Sequence, residues 1–190
     1  YTDPSHVLAF IENHDTDRFL GNTKDSTMLK QALALLLTIN RIPQLYYGTE
    51  VLMNGTKEVT DGNVRKDFPG GFPGDKHNCF TAAGRTKAEN EMFNWESRLL
   101  HWRQGNEVIT KGSQTQFIPY NGVYVIARQY QGKTVLTILN GKRSDSELNI
   151  ARYTEVIKDH KIAKDVITGA TVDLTKNVPL TQRQALIIEF

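Results

Sequence analysis

The chain has 190 residues, 39% hydrophobic and 23% charged, the make-up of one large globular domain or two small ones. A formal net charge of +2, from basic residues scattered along the chain, excludes the continuous basic stripe that a nucleic-acid partner requires. No apolar run is long enough to span a bilayer, the longest (Ala32 to Ile39) being broken by Thr38, and the opening residues carry no signal-peptide pattern.

In chain order, Val7 to Ile11 reads as a short buried strand, ended by the polar cluster Glu12-Asn13-His14-Asp15. Asp25 or Ser26 can cap a helix whose apolar positions include Met28, Leu29, Ala32, Leu35, Leu36 and Ile39. Asn40 ends it, with Pro43 just beyond. Leu45, Tyr46 and Tyr47 form a second short buried strand, stopped by Gly48. Residues 53–88 are a long polar excursion rich in Gly and Pro, more often functional than idle at this length. Glu89 to Trp102 reads as a helix with Met92, Trp95, Leu99 and Trp102 on one side. From Val108 onward the chain reads as strands near 114–118, 123–130, 133–139, 146–149, 153–157, 163–167, 170–174 and 184–190, separated by turn signals such as Asn121-Gly122 and Gln131-Gly132. The lone cysteine, Cys79, excludes an internal disulfide. It reads as a structural or exposed thiol without a His partner, and no Cys/His cluster has zinc spacing.

Asn13-His14-Asp15 follows the first strand. A carboxylate and an imidazole there can hold sugar hydroxyls, but Asn and Asp also cap turns, and both readings stand on these residues alone. Asp61 and Arg65 lie four residues apart in the long loop. They can grip vicinal hydroxyls or form a solvated ion pair.

The longer string Phe10-Ile11-Glu12-Asn13-His14-Asp15-Thr16-Asp17-Arg18 resembles the seventh barrel strand of the α-amylase family of glycoside hydrolases (family 13). Arg41-Ile42-Pro43-Gln44-Leu45-Tyr46-Tyr47-Gly48-Thr49-Glu50 is similar to its eighth. The loop Asp61-Gly62-Asn63-Val64-Arg65-Lys66-Asp67-Phe68-Pro69-Gly70 resembles the neopullulanase and cyclomaltodextrinase branch. The resemblance implies an α/β plus all-β chain. Residues 1–104 would be the last two βα units of a (β/α)8 TIM barrel, and 105–190 a C-terminal antiparallel β-sandwich. It further implies that Asp15 stabilises the transition state and that His14, Asp61 and Arg65 contact substrate. Arg18 is expected to be structural, Tyr47 and Glu50 to build the strand end, and Trp95 and Trp102 to be core.

The family's Gly-x-Arg-x-Asp nucleophile motif and its acid Glu do not occur here. Val64-Arg65-Lys66-Asp67 comes after the seventh strand and is no substitute. The expectation is therefore the C-terminal part of a retaining hydrolase of α-1,4-glucosidic bonds in maltodextrins, cyclodextrins or pullulan, inactive without the remainder of its barrel. Its partners would be an α-glucan oligosaccharide or cyclodextrin and the missing N-terminal part of the barrel. No cofactor or metal ligand set is identifiable in the sequence; calcium is common in the family. Resemblance to starch-utilising bacterial enzymes implies a periplasmic or cell-envelope setting. The competing reading is a non-catalytic carbohydrate-binding or structural β-sandwich, for which Phe117, Tyr120, Tyr124, Tyr130 and Tyr153 are the exposed aromatics to consider.

Overall fold

A computed structural model describes residues 2–21 and 25–190. Two short strands, β1 (Leu8–Ala9) and β2 (Ile42–Pro43), pair in parallel with Leu8 opposite Ile42. Between them runs helix α1 (Ser26–Thr38), capped by the Asp25 side chain, which accepts from Thr27 N–H. Leu29, Leu33, Leu36 and Leu37 are its buried leucines, joined by Ala34 and Thr38, and recur at helical spacing. The helix stops at Ile39, whose backbone is extended.

The strands are shorter than the sequence suggests, and the second begins earlier than Leu45. The ladder is closed by Ile42 N–H to Val7 O (3.1 Å) and Gln44 N–H to Ala9 O (2.8 Å). Pro43, which has no N–H, falls between these two bonds, where the backbone nitrogen faces the other edge. Past Gln44 the chain leaves the ladder. Gly48, at φ +83°, turns it into a 3-10 turn over Thr49–Val51, and a Cβ there would sit 2.1 Å from Met53 Sδ. Nor are these strands buried: Leu8 is 52% exposed and Ile42 48%. Parallel strands are normally covered on both faces, so these are left uncovered by the described residues.

After a four-residue helix α2 (Asp61–Val64), the long helix α3 (Lys87–Arg103) starts at a capping box formed by Thr86 and Glu89, two residues before the expected start. Its Met92 packs with Leu29, Leu33 and Leu36 of α1. Helix α4 (Glu107–Lys111) leads into the β-rich part.

There, β3 (Ser113–Gln116), β4 (Val123–Tyr130), β5 (Lys133–Asn140), β7 (Ile162–Asp165), β8 (Thr171–Asp173) and β10 (Ala185–Glu189) form one antiparallel sheet in the order β3-β4-β5-β10-β7-β8. β6 (Ser146–Leu148) and β9 (Val178–Leu180) form a separate pair. β4 and β5 are joined by Gln131-Gly132, both with positive φ (48° and 80°), the two-residue turn whose twist matches the strands. The second layer is thus a two-stranded ribbon, not a full sheet, and the sandwich is lopsided. β9 was not anticipated. Residues 153–157, read as a strand, form the end of a 3-10 turn and helix α5 (Thr154–Ile157). Tyr153 is buried with Val125, Ile138 and Leu180 rather than exposed.

The sheet's opposite face packs on helices. Val135 and Ile187 share a core with Ala34 and Leu37 of α1, Leu99 of α3, and Val108 and Ile109 of α4, with Trp95 and Trp102 packed against it. Two covered faces explain why Val135 to Leu139 is apolar at every position but Thr137 rather than alternating. Polar ties reinforce the contact. The buried Arg128 guanidinium donates to Thr38 O (2.9 Å) and Gly112 O (2.7 Å), and Thr137 Oγ1 lies 2.8 Å from Thr38 Oγ1. Burial, with the Arg103 charge nearby, pushes Arg128 down to about 10, and it stays charged at neutral pH.

Candidate sugar-contact site

The polar cluster after β1 and the loop carrying α2 meet at one exposed surface. The Asn13 side chain accepts from Asp15 N–H (2.8 Å), setting a tight turn that presents His14 and Asp15 outward. Arg65 ties the two segments together. Its Nε donates to His14 O (2.9 Å) and its Nη2 to Asp15 Oδ1 (2.9 Å), while Asp61 Oδ2 lies 3.5 Å from the same nitrogen. His14 Nε2 is 3.2 Å from Asp15 Oδ2. All four residues singled out from the sequence (His14, Asp15, Asp61 and Arg65) therefore lie together.

The sequence reading missed Lys57. Its Nζ donates to Asp15 O (3.2 Å) and lies 3.5 Å from Asp61 Oδ1, and its backbone N–H donates to Asp17 Oδ1 (2.6 Å). The i, i+4 spacing of Lys57 and Asp61 was a usable signal. Asp15 is 62% exposed and Arg65 41%; ion pairs so exposed contribute at most about 1 kcal/mol each. Opening them costs little, so these groups can exchange one another for hydroxyls of a bound ligand.

The support beneath this surface is buried. Arg18 donates to Val64 O (3.0 Å) and Tyr47 O (2.5 Å), lies 3.7 Å from Glu12 Oε1, and stacks 3.9 Å from the Tyr46 ring centre. Glu12 in turn accepts from Phe19 N–H and the Thr49 hydroxyl. Arg18 and Glu12 thus act as structure. Tyr47 donates to Lys66 O (2.6 Å), fixing the far end of the loop. Gly55 sets the loop's other end: its carbonyl accepts from Arg18 N–H (3.0 Å), and a Cβ on it would lie 2.2 Å from Asn63 O. That backbone approach admits no side chain. Gly55→Ala is expected to cost about 2 kcal/mol and to lower the thermal midpoint by several degrees, measured by circular dichroism. An unchanged midpoint would mean that the loop yields freely.

Phe68 packs on Phe80 with ring centres 4.6 Å apart, and Phe72 is 58% exposed. A cleft of about 520 Å³ lined by Trp102, Tyr130 and Glu189 shares no residue with the polar surface. Trp102 is spoken for there, donating to Glu189 (2.8 Å).

Cys79 departs from expectation. Its sulfur lies 3.1 Å from His77 Nε2, which is 3.0 Å from both oxygens of Glu89. The loop doubles back because Asp75 accepts from Gly70 and Phe72 N–H and because Cys79 N–H donates to Pro69 O. This is the one cluster of three metal-ligating side chains among the described residues, and its donors are nitrogen, sulfur and oxygen rather than the all-oxygen set of calcium. No helix among the described residues is long and apolar enough to cross a membrane.

Residues 114–189 match the cyclomaltodextrinase C-terminal domain family. An α-amylase of Niallia circulans is 28% identical over 180 residues, covering 90% of this chain and 30% of the relative. A cyclomaltodextrin glucanotransferase of Bacillus licheniformis is 32% identical over 166 residues, covering 83% of this chain and 20% of the relative. The chain thus spans less than a third of the length of these curated relatives. Among solved structures, an Anoxybacillus α-amylase superposes with a TM-score of 0.76 at 20% identity, over 100% of this chain and 39% of that one. The Geobacillus thermoleovorans α-amylase solved with acarbose gives 0.73 at 22%, over 98% and 39%. The chain is thus similar in sequence to enzymes of the α-amylase family and shares its fold with α-amylases, and its residues 114–189 match a C-terminal domain family of cyclomaltodextrinases.

Proposed function

We propose that this chain supplies the sugar-contacting rim of an α-glucan hydrolase of the neopullulanase and cyclomaltodextrinase branch. Residues 1–104 are the last two βα units of its catalytic barrel, and residues 105–190 are a structural C-terminal β-domain. The observation that carries the reading is the joining of Asp15, His14, Asp61 and Arg65 in one exposed polar surface just past the C-terminal end of β1, where barrel enzymes place their chemistry. Asp15 accepts hydroxyl hydrogen bonds that strengthen as the sugar ring distorts toward the oxocarbenium-like transition state. His14 donates to the same sugar, and Asp61 with Arg65 grips the next one. The uncovered faces of Leu8, Phe10 and Ile42 fit the remainder of the barrel. Cleavage needs a nucleophile and an acid about 5–5.5 Å apart, which that remainder would supply. On this reading the 190-residue chain alone is expected not to hydrolyse.

The test is reducing-sugar release from maltodextrin and cyclodextrin by this chain and by a polypeptide extended upstream through a whole barrel. Activity is expected only in the longer chain, falling about 100-fold in Asp15→Asn, comparable to losing one preorganised transition-state contact. Activity in the short chain, or an unaffected Asp15→Asn, overturns the reading.

A further inference from the structure

We infer that His77, Cys79 and Glu89 form a binding site for a zinc-type divalent cation, which fastens the long loop to the N-terminus of α3. The three ligand atoms lie within 4.8 Å of one another, with His77 Nε2 at 3.0 Å from each Glu89 oxygen and 3.1 Å from Cys79 Sγ. Around tetrahedral zinc, N, S and O ligands stand about 3.3–3.6 Å apart, so a few tenths of an ångström of expansion admits the ion. The donors are of the kinds that zinc takes, and three protein ligands leave one position for water.

Without metal, the Glu89 carboxylate can accept from His77 Nε2–H, and the thiol can share the same acceptor. A cation at the centre would instead engage the nitrogen, sulfur and oxygen together. On binding, the Cys79 S–H bond breaks, its electron pair forms the S–metal bond and the proton passes to solvent. His77 binds through the Nε2 lone pair with its hydrogen on Nδ1, and Glu89 binds as the carboxylate.

The surroundings already orient the ligands. Glu89 Oε2 accepts from Thr86 N–H (2.7 Å), and the Cys79 backbone is pinned by Pro69 O (2.9 Å) and by Arg85 Nε (2.8 Å). The thiolate and not the thiol is the ligand, so uptake is accompanied by release of the Cys79 proton. His77 and Glu89 side chains are 42% and 17% exposed, which gives the ion a way in.

The experiment titrates the chain with Zn2+ by calorimetry in two buffers of different ionisation heat, and with Co2+ by absorbance. One equivalent of zinc is expected to bind with release of about one proton, and cobalt to develop a thiolate charge-transfer band. Cys79→Ser and His77→Gln should each weaken binding by more than the ~10–100-fold typical of losing an outer-shell partner, and Cys79→Ser should abolish the band. Both leave the Thr86–Glu89 capping box intact, and circular dichroism of each variant checks the fold. No saturable one-to-one binding, or binding unchanged in either folded variant, overturns the site; the latter would assign the metal to others of the five histidines.

Discussion

Arg18→Ala is expected to lower the unfolding free energy by about 3–5 kcal/mol, measured as the urea midpoint of the 190-residue chain. The magnitude follows from what stays behind. Arg18 is 1% exposed and Glu12 2%, so the substitution leaves a carboxylate in the interior without its counter-charge. It also strips the Val64 and Tyr47 carbonyls of their donors and leaves a void against the Tyr46 and Tyr47 rings. Arg18→Lys keeps the charge but cannot reach both carbonyls, and is expected to fall between wild type and Arg18→Ala. Arg18→Met combined with Glu12→Gln removes both charges and should recover much of the loss. A loss below about 1 kcal/mol for Arg18→Ala would show that the pair is not buried in solution. The effect reaches the candidate site, because Arg18 fastens the turn that holds Asp15 to the loop that holds Arg65.

How much of this was legible in the sequence depends on how local the signal is. The hairpin of β4 and β5 could be read to within a residue, since its pairing is set by a two-residue turn and by side chains in immediate succession. The α1 cap at Asp25 and the α3 helix were likewise local. What failed depends on distant partners. β1 and β2 read as buried strands because their apolar residues suit a fully covered parallel sheet, yet the described residues do not cover them. Residues 153–157 read as a strand from Tyr153, Val156 and Ile157, which instead point from a 3-10 turn and a short helix into one core. For the site, the Asn13-His14-Asp15 string and the Asp61–Arg65 spacing were visible. Their meeting was not, because it is set by Gly55, Arg18 and the 3.0 Å bond between them. The His77–Cys79–Glu89 cluster was invisible for the same reason: residues two and twelve apart are joined only because the loop folds back on a helix start.

Glu96 provides the second large effect. It lies on the buried side of α3 between Met92 and Leu99, 3% exposed, with Oε2 unpartnered. It borders an apolar cleft of about 470 Å³ lined by Leu45, Tyr46, Tyr47 and Phe93. Burial first, then the charges of Glu50 and Glu12, push its carboxyl up from 4.5 to about 7. The folded state therefore holds a proton that the unfolded chain gives up near pH 4.5. The stability linked to it is fully present below that pH, declines as pH rises through about 7, and is gone above. Across that window the loss is about 3 kcal/mol. Glu96→Gln carries no such proton. It should match wild type near pH 4.5 and exceed it at pH 8, with a thermal midpoint higher by several degrees. The comparison uses the difference between the two proteins, so titrating groups that do not interact with Glu96 cancel, while Glu50 and Glu12 enter only through their coupling to it. If the two midpoints run parallel from pH 4.5 to 8, Glu96 is ionised and hydrated in the folded chain, and the cleft beside it admits water. If they diverge as expected, a carboxylic acid is held neutral against Tyr46 and Phe93. Covering that cleft with further protein would then raise the acid's pKa more, and the association itself would weaken as pH rises.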